Sequence, residues 1–238
     1  FLGALLVGYV VIESTSDNHQ LWNNREDFLT GLVDLLLPQA KSARFQPSPS
    51  LNSGDTQQPV QDLPESCVHQ ILQQAKGHGM QDYALAYVLF GAGLSPEEAC
   101  HLTRSHHLSD KSRHTLQVGE RQVPINQWIA GKRYGSYHSN PLTKWLKSRN
   151  DELPWLFLQP ATHKPLTVDD IQALWATWTA ALPDYQTASP WQAKQTWCVE
   201  MLTRGMDADS LSILSGLTTE QLVPYLARAR EKAALEQA

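Results

Sequence analysis

Apolar positions along the chain fall into helical stripes far more often than into alternating ones. Residues 23–37 place Phe28, Leu32, Val33 and Leu36 on one face, and Pro38 ends that stripe. Two further helices are expected at Glu65–Lys76 and Asp82–Phe90. The second is apolar on nearly every side through Tyr83-Ala84-Leu85-Ala86-Tyr87-Val88-Leu89-Phe90, and Gly91-Ala92-Gly93 follows it. Ser95-Pro96-Glu97-Glu98 then carries the spacing of a capping box, so another helix begins there. Alternation appears only briefly. His114–Val118 and Gln122–Ile125 flank Gly119-Glu120-Arg121 as a β-hairpin.

Helical patterning returns at Pro141–Arg149 and again after Thr167, through Ile171, Leu174 and Trp178. Between them Trp155–Leu158 reads as a strand. The last third is organised around Ser189–Gly205, a helix with both ends marked. Ser189 is the expected cap, Pro190 suits the first position, and Gly205 supplies the left-handed stop. A short helix at Asp207–Ser215, a Gly216-Leu217-Thr218-Thr219 turn and a final helix carrying Tyr225 complete the chain. Pro224 marks a rebuilt start for that final helix.

Composition divides this pattern into parts. Residues 41–62 are rich in Ser, Pro, Gln and Gly and read as a linker. That separates an N-terminal apolar and helical segment, residues 1–40, from a domain at 63–238. The expected fold is mainly α with a small antiparallel β-sheet, an α+β arrangement. With Phe at position 1, the chain is expected to be cropped or processed. Phe1–Ile12 is apolar, but a dozen residues fall short of the ~18 that would suggest a membrane span. A buried strand or helix end is expected there, with the tail of a truncated membrane segment as the alternative, and no membrane partner is expected for the chain.

The formal net charge of −5 argues weakly against nucleic acid, yet its distribution does not. Residues 1–90 hold 4 Lys and Arg against 9 Asp and Glu, residues 91–150 hold 9 against 4, and residues 151–238 hold 6 against 11. A basic block therefore sits between two acidic ones. Lys111, Arg113, Arg121, Lys132, Arg133, Lys144, Lys147 and Arg149 lie in it, with Tyr134 and Trp145 among them. They are the candidate contacts to double-stranded DNA; a solvated charged face is the plain alternative.

Cys67, Cys100 and Cys198 have no paired spacing, which suits a reducing, cytoplasmic setting. Cys100-His101 with His106-His107 fits no zinc pattern, so no metal is expected. There is no Gly-x-Ser-x-Gly elbow and no phosphate-binding Gly-rich loop, and no cofactor is expected.

The order of these pieces resembles the catalytic domain of the tyrosine recombinases, or phage integrases, over residues 63–232. In that family a helix opening His-x-x-Arg-His-Thr precedes a short helix, a Gly-His turn and a helix bearing the nucleophilic Tyr. Here the frame reads Trp191-Gln192-Ala193-Lys194-Gln195-Thr196, then Gly216-Leu217, then Tyr225. Leu85–Leu102 resembles the family's first box, and Thr115–Ile125 its hairpin. The resemblance implies a domain that once cleaved DNA by attack of Tyr on a phosphodiester, with two Arg residues and a hairpin Lys around the phosphate.

Matched residue by residue, that chemistry is mostly missing. Ser95 stands at the first Arg, Trp191 at the opening His, and Leu217 at the later His. Lys194 stands at the second Arg and keeps the charge without the fork. Arg121 is the nearest substitute for the hairpin Lys, though a guanidinium is a poor proton donor. Ser95 reads first as a helix cap, Trp191 as a packing residue, and Tyr225 as a tyrosine without a catalytic role. The resemblance thus implies a degenerate integrase-like protein that binds DNA or assists an active recombinase, alone or as a homo-oligomer. A protein-interaction module without DNA binding and an active recombinase using Tyr225 are the alternatives.

Overall fold

The computed structural model describes residues 59–109, 114–125, 140–182 and 188–236. Contacts divide the chain between residues 56 and 57, and all described residues belong to the second unit. The helix expected at 23–37 and the segment 1–12 lie outside them.

The described unit is built outward from one helix. Following α1 (Glu65–His78), α2 runs Met80–Ala92, and every residue from Ala84 to Ala92 is buried. A helix apolar all round can only be stable with neighbours on every side. Against it pack α1, through Cys67, Val68, Ile71, Leu72 and Ala75, together with α4 and α6, defined below. The chain leaves α2 through Gly93, whose φ of 59° places it in the left-handed region. A Cβ added there would lie 2.3 Å from the ring of Trp197, so glycine is required by conformation and by space together.

The capping box at Ser95 forms as the spacing predicts. Ser95 Oγ accepts from the Glu98 amide at 3.2 Å, Glu98 Oε2 accepts from the Ser95 amide at 2.8 Å, and Pro96 opens α3 (Pro96–Cys100). A 3-10 turn at Arg104–His106 leads into β1 (His107–Ser109), β2 (His114–Val118) and β3 (Arg121–Pro124), an antiparallel sheet in the order β1-β2-β3. Pairing Val118 with Arg121 leaves a two-residue turn, Gly119-Glu120, one residue shorter than the sequence suggests. Leu116 and Val123, directly opposite each other, make the sheet's buried face together with Val118.

Asn140 caps α4 (Pro141–Ser148), accepting from the amides of Leu142 and Thr143 while donating to the Tyr87 hydroxyl at 3.1 Å. The strand expected at Trp155–Leu158 is reduced to isolated bridges, Thr103 with Trp155 and Leu158 with Pro165. Side chains take the acceptors that a ladder would use. Arg149 donates to the carbonyls of Trp155 and Leu156, and Trp145 Nε1 donates to Leu156 at 2.9 Å. Thr167 and Asp170 close a second capping box at the start of α5 (Val168–Thr179), which packs Ile171, Trp175 and Trp178 inward.

Helix α6 runs Trp191–Thr203. Its start follows the expectation: Pro190 has helical dihedrals, and the Ser189 hydroxyl accepts from the Trp191 amide at 3.4 Å. Gln192 turns back and accepts from the Ser189 amide at 2.8 Å. Its end is as read. Gly205 has a φ of 91°, Met206 N donates to Met201 O and Gly205 N to Leu202 O, both at 3.0 Å, which is a Schellman stop. Helix α7 (Ala208–Ser215) starts at the Asp207 cap and ends at Gly216, φ 73°. Helix α8 (Thr219–Glu236) continues straight through Pro224, so the rebuilt start expected there is not formed. Thr218 and Gln221 hydrogen-bond reciprocally and start the helix earlier.

The folded unit also begins before residue 63. Leu63 N donates to Thr196 Oγ1 at 2.9 Å, Gln61 N to Gln195 Oε1 at 3.1 Å, and Asp62 accepts from Arg228 at 2.6 Å. Residues 61–62, which composition assigns to the linker, form a strap across α6 and α8.

Substitution of Gly93 by Ala tests this packing. The left-handed φ and the Trp197 ring both oppose a methyl group, so unfolding in urea is expected at a lower midpoint with an unchanged slope, a loss of about 2–5 kcal/mol.

Candidate functional site

The loop after α2, the turn side of β3, the first half of α6 and the end of α7 meet around one carboxylate. Glu98 of α3 binds Arg121 of β3 through Oε1 and Lys194 of α6 through Oε2, the latter at 3.3 Å. The same Oε2 closes the capping box with the Ser95 amide. Arg121 is held a second time, since its Nη1 donates to the carbonyl of Leu214 at 2.6 Å. Its guanidinium lies over Gly216, where a Cβ would sit 3.1 Å from Cζ. These three charged side chains are mostly withdrawn from solvent, at 12% exposure for Lys194, 18% for Arg121 and 24% for Glu98.

Geometry explains why they meet. Trp197 packs on Gly93, fixing α6 where the chain turns into α3. Lys194 lies one turn before Cys198 on α6, and Cys198 is fully buried. Burial pushes the Cys198 thiol up to about 12, against a smaller opposing effect of Lys194. Tyr225 of α8 is half-buried against the core, and burial followed by the neighbouring Cys198 pushes its hydroxyl up to about 12. At neutral pH only about one such tyrosine in 10⁵ is ionised. A nucleophile in that state needs a base beside it.

The remaining positions of the expected constellation carry no such group. Ser95 is buried and occupied as a cap. Leu217 is half-buried, its amide donating to Ser215 Oγ at 3.1 Å and its carbonyl accepting from Ser212 Oγ at 2.7 Å. Trp191 is not the core residue that its type suggests. It is 43% exposed at the open end of α6. Of the matched positions, the structure joins Lys194 to Arg121 through Glu98, with Ser95 tied to the same carboxylate.

Glu98 is the residue that sequence reasoning assigns only half a role. It reads as a capping partner, and the signal for its second role is the presence of two cations, one in the hairpin and one on α6, within a frame that brings both elements to that helix start.

The basic block separates into different fates. Lys144 and Lys147 are on exposed positions of α4. Arg149 faces inward with 1% of its side chain exposed, bound to Asp151 and to the carbonyls of Leu153, Trp155 and Leu156, so it is a structural arginine. Asp151 is held down at about 2, chiefly by the hydrogen bond from Arg149. Trp145 lies beneath that guanidinium, 5.7 Å from ring centre to Cζ. Lys111, Arg113, Lys132, Arg133 and Tyr134 lie outside the described residues.

Among the described residues no group of three metal-ligating side chains occurs. His101 turns to the Glu97 carbonyl and His106 to the Thr103 amide, while His107 Nε2 and His114 Nδ1 hydrogen-bond at 3.0 Å. Burial, then His114, pushes the His107 imidazole down to about 4. No helix among the described residues is long and apolar enough to cross a membrane.

Residues 61–228 match the phage integrase family. No curated protein matches the chain. Among solved structures, XerA recombinase is similar with a TM-score of 0.60 at 17% identity, over 76% of this chain and 67% of that one. The Tn1549 transposon integrase, in complex with a circular intermediate DNA, is similar with a TM-score of 0.56 at 16% identity, over 94% and 82%. XerH site-specific recombinase, bound to a palindromic difH substrate, gives a TM-score of 0.57 at 12% identity, over 81% and 58%. These likenesses establish the fold as that of tyrosine recombinase catalytic domains.

A substitution at Ser95 separates cap from relic. Ser95→Arg removes an acceptor for the Glu98 amide, so a loss of about 1 kcal/mol in unfolding free energy is expected, without any gain of DNA nicking. A stabilised variant that nicks duplex would overturn the assignment.

Proposed function

This chain belongs to the phage integrase family, and on that premise we propose that it is a catalytically degenerate member that binds DNA, as an accessory factor of a mobile genetic element in the cytoplasm. The observation that carries the reading is the engagement of Glu98 with both Arg121 and Lys194. Phosphoryl transfer through tyrosine needs fixed positive charge around the phosphate and a route for protons. Here the two cations already face a carboxylate, Ser95 and Leu217 bring neither charge nor proton, and Tyr225 carries a strongly raised pKa beside Cys198. Lost cations and lost proton donors each lower the rate, and several are lost together.

DNA binding asks less of a site than catalysis does. It needs positive charge within reach of the phosphate backbone, and the excess between residues 91 and 150 supplies it. Lys144 and Lys147 are exposed, and Lys111, Arg113, Lys132 and Arg133 add to the same block. Trp191 is exposed at the open end of α6. Such contacts would touch backbone and position the protein without reading bases. The similar Tn1549 integrase and XerH structures contain DNA, which supports double-stranded DNA as partner. An active recombinase, or a second copy of this chain, is the natural protein partner of an accessory subunit.

A protein-interaction role without DNA is favoured by the acidic balance of −5 on each side of the basic block. Activity through Tyr225 in an altered geometry is the third reading, and Ser95 and Leu217 weigh against it.

Two experiments divide these readings. On nicked suicide duplexes no covalent protein–DNA adduct is expected, since losing even one oxyanion contact costs about 10²–10³ in rate; an adduct that disappears in Tyr225→Phe would establish the active recombinase. In salt titrations with random duplex, log affinity is expected to fall linearly with log salt, and replacing Lys132 and Arg133 together with Ala should lower the slope by about 2. Absence of duplex binding at low salt would leave the interaction module.

A further inference from the structure

We propose that His107 and His114 form a pH-sensitive clasp at the outer edge of the sheet: two neutral imidazoles share one proton across β1 and β2, and weak acid opens the pair and releases β1. The inference does not depend on whether the chain binds DNA.

The strand register brings the two rings together. His107 pairs with Leu116 and Ser109 with His114, so the histidines stand on a diagonal of the β1–β2 ladder. Alternation along β2 puts His114 on the same face as Leu116, and His107 shares that face as the partner of Leu116. Leu116 is fully buried, and both histidines are half-buried at the margin of the face it occupies. Nε2 of His107 is 3.0 Å from Nδ1 of His114, the ring planes are 2° from parallel, and the ring centres are 5.3 Å apart. Rings stacked face to face could not combine so short a nitrogen contact with so wide a separation of centres. What remains after the nitrogen contact is one ring radius on either side, so centre, nitrogen, nitrogen and centre fall on one line. The rings therefore lie edge to edge in one plane, the straight geometry of an N–H···N hydrogen bond. One nitrogen carries the proton and the other offers its lone pair. The two nitrogens aim at each other and not at a shared third point, so the pair is not arranged to hold a tetrahedral metal.

Little else holds β1. It is an edge strand of three residues, none of them fully buried, and Leu108 on its other face is 42% exposed. A protonated imidazole donates at both nitrogens, so once both rings are charged two N–H groups face one another and the bond is lost. Among the described residues, the turn before β1 brings Arg104, bound to Asp151, and His106, bound to the Thr103 amide. Glu120 and Arg121 stand at the far end of the β2–β3 ladder, and α7, packed on β3, carries Asp209. The influences that move His107 are its burial and then His114, which together push it from the ordinary 6.5 down to about 4. A folded-state value below the unfolded one means that the opened chain takes up the proton first. The contribution of the clasp is therefore complete above pH 6.5 and is lost as the pH falls toward about 4.

Hydrogen exchange of the full chain, corrected for its intrinsic pH dependence, tests the clasp. From about pH 7.5 to about pH 5, amide protection in β1 and β2 is expected to fall about tenfold or more, while α2 keeps its protection. His107→Gln sets a non-titrating amide where Nε2 stands. That amide can donate to Nδ1 of His114 or accept from it, so neither state of His114 breaks the contact. The variant should match the parent near neutral pH and lose the fall in acid. If parent and variant fall alike, or if β1 and α2 of the parent fall together, acid acts elsewhere and the clasp is overturned. Should His107→Gln fail to unfold cooperatively, His114→Asn takes its place with the same expectation, its amide standing where Nδ1 was. Titration of the rings by NMR gives a separate reading. His107 is expected to stay neutral down to about pH 5, and a ring that protonates at the ordinary 6.5 overturns the proposal.

Discussion

Burial of α2 on all sides is the constraint from which the rest of the domain follows. Nine consecutive residues, Ala84 to Ala92, are buried. A helix of that kind contributes stabilisation only if its neighbours arrive from every direction, at about 25 cal/mol for each Å² of apolar surface removed from water. Helices α1, α4 and α6 are those neighbours. The same constraint reaches the site. Because Gly93 admits the Trp197 ring so closely, α6 cannot slide along α2 without losing that contact, and Lys194 is thereby held opposite Glu98. The position of the charges is inherited from apolar packing.

Once placed, the charges need each other. Removing Lys194 and Arg121 from most of their solvent would be costly if they faced only one another. Glu98 resolves the repulsion and leaves the cluster one positive charge in excess. A phosphate could do the same from outside, as the family's chemistry requires. Here the balance is struck inside the chain, and the frame persists without depending on a ligand for its electrostatics.

Much of this fold was legible because its punctuation is local. Ser95 with Glu98, the helix start at Thr167, and Gly205 after Leu202 act within a few residues, and each forms where the sequence marks it. The misreadings share a different origin. Trp155–Leu158 has a strand's composition, but whether its carbonyls meet a neighbouring strand or the Arg149 and Trp145 side chains depends on tertiary placement. Pro224 ends helices in isolation, whereas α8 packs on α6 and α7 well enough to tolerate one missing donor. Residues 61–62 look like linker by composition and are captured by partners over 130 positions away. At the site, the matched positions Ser95, Lys194, Leu217 and Tyr225 could be found by register. The pairing of Arg121 with Glu98 could not, because it joins two elements that no periodicity relates.

The strap also sets an order of events. Asp62 and Arg228 stand 166 positions apart, and Lys232 reaches both Asp62 and Glu200 across the same junction. Closing so long a loop has an entropic cost that no single ion pair offsets, so the junction forms only after the intervening helices have collapsed. During synthesis Asp62 emerges 166 residues before Arg228, so the strap has no partner on α8 until the tyrosine-bearing helix has been made.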